Sequence, residues 1–276
     1  MTEPLQAVAA DPLAAGWTAL RAFFSEGAAA RDRALEAFQA AERAVRASGD
    51  SSTLSLWLLG MATALRYTRR PEPMEAGLAR ARELVNLIAR EMSESATIPY
   101  RTYVEAAYRD LADVIPAQSE SLLNEAIAYS DRTLRLAKAT ARDEWVAAAQ
   151  ASRGDLLLRR ARDRRALRRA LVAHEDARRR WSSRDAEGRA QAGIGYGETL
   201  LALGEAAKAE RIARESLGVF VRSGDRYHEA AARLLLARAL FALDQSDALD
   251  EQASAVALYQ ALGCAWEARR AEGALG

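Results

Sequence analysis

The chain has 276 residues, half of them hydrophobic and 28% charged, with a formal net charge of +1. Its 64 Ala and 35 Leu stand against 10 Val and 6 Ile: β-branched aliphatics are too scarce for an extended sheet, whereas Ala and Leu lose little side-chain entropy in a helix. The composition excludes a disordered chain, and no apolar run approaches the roughly 20 residues of a membrane span.

The first residues, Met1–Gln6, lack the basic region and apolar core of a signal peptide. Cys264 is alone and cannot form an internal disulfide. Both features predict a reducing, cytoplasmic setting. The bias toward alanine and arginine fits a GC-rich bacterial genome.

Taken in chain order, apolar spacings of three and four, with the punctuation between them, predict thirteen helices. They cover 13–25, 30–48, 52–69, 73–93, 99–114, 117–139, 143–161, 163–182, 185–203, 205–222, 225–243, 246–262 and 264–274. Pro73 and Pro99 sit in first turns, where a missing N–H is harmless, and Pro116 separates two helices. Junctions recur at Ala47–Asp50, Thr140–Asp143, Ser182–Asp185, Arg222–Asp225 and Ala261–Cys264, four of them ending in an aspartate able to cap the next helix. Asp143, Asp185 and Asp225 lie 42 and 40 residues apart, and the 93 from Asp50 to Asp143 fit two units with a degenerate junction near 95–98. This is the signature of a repeated helical hairpin. The expected organisation is an N-terminal segment and capping helix over 1–29, then one solenoid over 30–276 with five hairpins and a terminal helix. No Pro/Gly/Ser-rich linker interrupts it, and each hairpin needs its neighbour to bury its second face.

Gly197–Ala209, with a small residue in the first helix, Leu203-Gly204 at the turn and Ala206 opening the second helix, resembles the tetratricopeptide (TPR) repeat. Gly154 with Ala166, Ala170 and Ala173 keeps the same spacing, and Ala237 keeps part of it, though Asp244 replaces the turn glycine. Gly60 and Ala107 are taken as the matching small residues upstream. The resemblance covers about 143–265 well and 30–140 weakly, and its elongated repeats are similar to those appended to bacterial regulators, signalling ATPases and caspase-like proteases. It implies a right-handed, all-α solenoid whose concave face is lined by the first helix of each hairpin. On that register the groove consists of Trp57 and Met61, Arg101 and Tyr108, Asp155 and Arg159, Gln191 and Glu198, then Arg238 and Phe241. Trp57 suits either a groove wall or the core.

The near-zero charge conceals a segment, 153–184, with 12 Arg and 4 acidic residues. Arg160, Arg164, Arg165, Arg168 and Arg169 form its centre and predict a basic patch for an acidic protein surface. Without interleaved aromatics, a nucleic-acid partner is disfavoured. Catalysis finds little material: His174 and His228 read as helix-face residues, and two His and one Cys without ligand spacing argue against a metal. Gly193, Gly195 and Gly197 lie inside a predicted helix with no preceding strand, so close packing explains them better than a phosphate loop.

The expectation is a non-catalytic scaffold, without cofactor, that holds a peptide or protein in its groove. Alternatives are a ligand- or peptide-responsive sensor, or the TPR portion or companion of a multidomain regulator, ATPase or protease. The last helix is also a candidate homodimer contact.

Overall fold

The computed structural model describes residues 11–181 and 185–275. Within them lie thirteen α-helices and no strand. They are α1 Pro12–Glu26, α2 Ala28–Ser48, α3 Ser51–Arg66, α4 Pro71–Glu91, α5 Ile98–Val114, α6 Ser119–Ala139 and α7 Asp143–Arg160. There follow α8 Arg164–Arg180, α9 Ala186–Ala202, α10 Ala206–Ser223, α11 Arg226–Phe241, α12 Ala248–Ala261 and α13 Ala265–Glu272. The predicted junction residues 182–184 lie outside the described residues.

Aspartates start the helices much as the junction pattern predicts. Asp50 accepts from the Ser52 and Thr53 N–H groups at 3.2 and 2.9 Å, Asp185 from Gly188 at 2.8 Å and Asp225 from His228 at 3.0 Å. Asp143 is instead the first residue of α7, where its charge favours the helix dipole. Gly224 leaves α10 at φ 73°, the left-handed C-cap geometry; Gly204 takes φ 83° in the turn after α9, and Asp244 reaches φ 54° in the corresponding turn after α11 without being glycine.

Antiparallel pairing gives six hairpins, α1–α2 through α11–α12, each second helix packing on the next first helix and α13 packing on α12. That is one hairpin more than expected, because α1 pairs with α2 rather than capping the array alone. Alanine serves these crossings: Ala30, Ala34, Ala137, Ala170, Ala209, Ala213 and Ala239 are all fully buried. The first core gathers Leu20, Phe38, Trp57, Leu58, Met61 and Leu84, and a second joins Met74, Leu78, Val104, Leu111, Leu123 and Leu156.

The solenoid completes one superhelical turn, so the far ends of the array meet. Phe23, at the end of α1, lies 5.6 Å centroid to centroid from Tyr227, at the start of α11. Ala28 N–H donates to the Leu262 carbonyl at 2.6 Å. Gly27 makes this approach possible: at φ 88°, its added Cβ would lie 2.1 Å from that carbonyl oxygen.

Candidate functional site

Because the array curls through a full turn, the first helices of all six hairpins face one interior cavity of about 780 Å³. α1 contributes Trp17, Arg21 and Phe24, α3 Thr63 and Arg66, and α5 Tyr103 and Arg109. Opposite them stand Asp155 and Arg159 of α7, Gln191 and Glu198 of α9, and Tyr227 and His228 of α11. Trp181, following α8, completes the wall, and the indole N–H groups of Trp17 and Trp181 have no hydrogen-bond partner among the described residues.

One side of the wall carries two ionic clusters. Asp110 accepts from Arg66 Nε at 2.6 Å, lies 3.0 Å from Arg69 Nη1 and accepts from Arg109 Nε at 3.1 Å. Burial alone would raise the Asp110 carboxyl; the three guanidiniums outweigh it and hold it well below the usual carboxylate range. Arg69 then donates through Nε to Glu267 Oε1 of α13 at 2.7 Å, and Tyr227 OH donates to the same oxygen at 3.0 Å. Arg109 also pairs with Asp155. Arg159 bridges Asp113 at 3.3 Å and Glu198 at 3.6 Å, and Arg238 lies 3.9 Å from Glu198. Burial opposes ionisation of Glu198 as well, but Arg159, Arg270 and Arg238 keep it charged.

Of the predicted groove residues, Asp155, Arg159, Gln191 and Glu198 line the cavity. Arg238 touches its edge through Glu198. Trp57, Met61, Arg101 and Tyr108 do not line it. Trp57 is fully buried, and its Nε1 donates to the Phe38 carbonyl at 2.7 Å; Met61 packs in the same core. Arg101 donates to Thr97 at 2.8 Å and covers Tyr129, while Tyr108 OH donates to Glu125 at 3.0 Å. Phe241 is 53% exposed at the end of α11 and faces solvent.

The misplacement has a geometric cause. A Cβ on Gly60 would strike Phe38 of the preceding hairpin, one on Gly154 would strike His174 of its own second helix, and one on Gly197 would strike Leu235 of the next first helix. These small residues are not equivalent, so a register anchored on Gly60 shifts the α3 face by about two residues. At about 100° per residue that turns it to the opposite side of the helix. Leu59, Thr63 and Arg66, and Tyr103, Ala106 and Arg109, are the residues that face inward.

The two histidines have structural surroundings. His174 is fully buried beneath Gly154 and Gly195, and burial keeps it neutral. His228 stacks between Phe24 and Phe220 with Nδ1 2.6 Å from Asp225. Gly193, Gly195 and Gly197 are close-packing positions inside α9, as their sequence context suggested. The arginines at 160, 164, 165, 168 and 169 are all exposed and lie outside the cavity, around the α7–α8 turn. Among the described residues, no group of three or more His, Cys, Asp or Glu side chains is placed to hold a metal, and no helix is long and apolar enough to cross a membrane.

No protein-family model matches the chain, and no curated protein matches it in sequence. The apo form of RapI matches in structure with a TM-score of 0.55 at 13% identity, over 95% of this chain and 98% of that one. The fold is a TPR-like helical-repeat solenoid. The nearly identical TPR-like repeats of a protein described as a kinesin light chain from Podospora anserina align with a TM-score of 0.47 at 14% identity, over 72% of this chain and 92% of that one. Within this TPR-like frame, sequence reasoning missed Arg66, Arg69 and Tyr227, which line the cavity, and Asp110 and Glu267, which brace them from behind. The run Arg66–Arg70 beside the Pro71 and Pro73 turn was the available local signal; its partner lies almost 200 residues away.

Proposed function

We propose that this TPR-like protein is a non-catalytic interaction module that takes a short peptide or similarly sized ligand into its central cavity. The observation that carries this reading is the convergence of six first helices on one space of about 780 Å³. That volume lies in the range of small-ligand sites, about 300–1,000 Å³. It suits a short segment better than a folded domain. The lining offers aromatic faces, two indole donors without a partner among the described residues and the exposed guanidinium of Arg21, together with carboxylates held by arginines. A ligand with an apolar body and one acidic group fits that inventory. Pre-ordered helices lower the entropy lost on binding.

The meeting of the array's ends favours a responsive variant of this reading. A ligand that fills the cavity would change the contact between α1 and α11, and a second surface could register the change. Association with a larger regulator is compatible with either role.

The test uses the tryptophans already in the wall. Peptide extract from the native host should shift the intrinsic fluorescence of the wild-type chain. Ala151→Phe, which fills the cavity from α7, should abolish the shift while the fold is retained by circular dichroism. A ligand bound equally well by Ala151→Phe would place binding elsewhere.

A further inference from the structure

The solenoid carries a charge pattern along one rim that the cavity does not use. In a stack of parallel hairpins, the turns joining first to second helices follow one another along the same rim. At the first two hairpins this rim rests on the chain's own α11 to α13 through Gly27, Ala28 and Arg69. At the later hairpins it is exposed.

Around the α7–α8 turn this exposed rim presents Arg160, Arg162, Arg164, Arg165 and Arg168. Arg164 and Arg165 occupy the first turn of α8, where positive charge opposes the helix dipole, and the single carboxylate there, Asp163, is engaged as the N-cap, accepting from Ala166 N–H at 2.7 Å. Adjacent charges are matched internally: Arg159 with Asp113, and Arg178 with Glu215. Two hairpins further on, the α11–α12 turn presents Asp244, Asp247 and Asp250 beside exposed Phe241 and Leu249, 53% and 64% accessible. Neither cluster has an ionic partner among the described residues. Between them, the α9–α10 turn is small and self-neutralising, with Lys208 Nζ 2.6 Å from Glu205.

Along the rim the order is therefore positive, neutral, negative. Rotation by a two-fold axis through the neutral turn reverses that order, so a second copy presents negative to positive at both ends. Such a surface is its own complement, the requirement of an isologous contact. The exposed Phe241 ring also offers a face on which an arginine of the opposing copy can stack.

We propose that a second copy of this chain docks on this rim, the Arg160–Arg168 turn of each against the Asp244–Asp250 turn of the other, with the α9–α10 turns on the axis. This contact is independent of the cavity and of α13, whose Glu267, Ala268 and Ala271 are already buried within the chain.

Sedimentation equilibrium of the full chain tests this. At about 0.01 M salt the mass should reach twice the 30.0 kDa of the monomer, and at about 1 M salt, where screening shortens to about 3 Å, it should fall back to the monomer. Arg164→Glu/Arg165→Glu/Arg168→Glu and Asp244→Arg/Asp247→Arg/Asp250→Arg should each be monomeric at low salt, with at least a tenfold weaker self-association. An equimolar mixture of the two should form a heterodimer, since each now complements the other at both ends. A wild-type chain that stays monomeric at low salt, a mass that climbs beyond the dimer, or a mixture that does not associate would overturn the proposal. So would a monomer that binds an acidic protein or an oligonucleotide through the arginine turn.

Discussion

Arg69, in the turn of the second hairpin, donates to Glu267 of α13 across 198 residues at 2.7 Å, and both side chains are nearly buried, at 11% and 9% accessible. Arg69 holds a left-handed backbone with φ 54°, an uncommon geometry for a non-glycine residue. It also binds Asp110 at 3.0 Å, so one guanidinium joins α5 to α13. Removing one partner of such a pair leaves the other charge buried, at a cost of about 3–5 kcal/mol. Glu267→Ala should lower the unfolding free energy by that amount and enlarge the radius of gyration as the ends part. Unchanged values in chemical denaturation and solution scattering would show that the ends meet without this clasp.

Gly27 and Gly49 make a matched pair of tests. Both have positive φ, 88° and 66°, but a Cβ at Gly27 would fall 2.1 Å from the Leu262 carbonyl oxygen, whereas one at Gly49 meets nothing within 4 Å. Gly49→Ala should cost about 1 kcal/mol, the left-handed penalty alone. Gly27→Ala should cost clearly more, because backbone must also move. Thermal melts of the two variants side by side decide it; equal losses would mean that the α1–α12 approach is loose.

Glu105 predicts a pH dependence. Its carboxyl is fully buried beside Thr133 and Ser152, has no partner of normal hydrogen-bond geometry, and is pushed by burial from 4.5 up to about 7. The folded chain therefore holds a proton that the unfolded chain releases, so this group's contribution is complete below pH ~4.5 and is lost as pH rises through ~7. The loss is about 3 kcal/mol. Glu105→Gln should match the wild type near pH 5 and exceed its stability by roughly that amount near pH 8. His174 titrates in both chains and cancels in the difference. Parallel denaturation curves at both pH values would refute this assignment.

Trp57 and Tyr108 are predicted to act on stability, not on ligand capture. Trp57→Ala should cost about 3–5 kcal/mol, the range for a deleted core aromatic. Once Trp57→Phe has restored folding, ligand affinity should equal that of the wild type. A selective loss of binding in Trp57→Phe would return this residue to the site.

The helices and their repeat were legible because capping aspartates, turn glycines and three-four apolar spacing are local signals. Asp50, Asp185 and Asp225 act at the predicted places. The cavity was legible only where the repeat was well formed: Asp155, Arg159, Gln191 and Glu198 come from α7 and α9, inside the stretch that resembles the TPR pattern. In α3 the chosen small residue packs in a different direction, and a two-residue error in phase exchanges interior for core; in α5 the error is one residue, and Arg101 and Tyr108 sit beside the lining residues Thr102 and Arg109. Arg69, Asp110 and Glu267 could not be read locally, since their pairing depends on the accumulated curvature of six hairpins.

A solenoid whose repeats touch only their neighbours unfolds piecemeal from its ends, because its stability is a sum of local steps. Here Phe23, Ala28 and Arg69 rest on Tyr227, Leu262 and Glu267, so neither end is free to fray first. Loosening α13 removes support from α1 and the α3–α4 turn, and loosening α1 exposes Tyr227. The contact links the most distant segments of sequence into a single cooperative transition. It also makes the chain slower to fold than an open array of equal length, since the closing contact forms only after every hairpin between has taken its place.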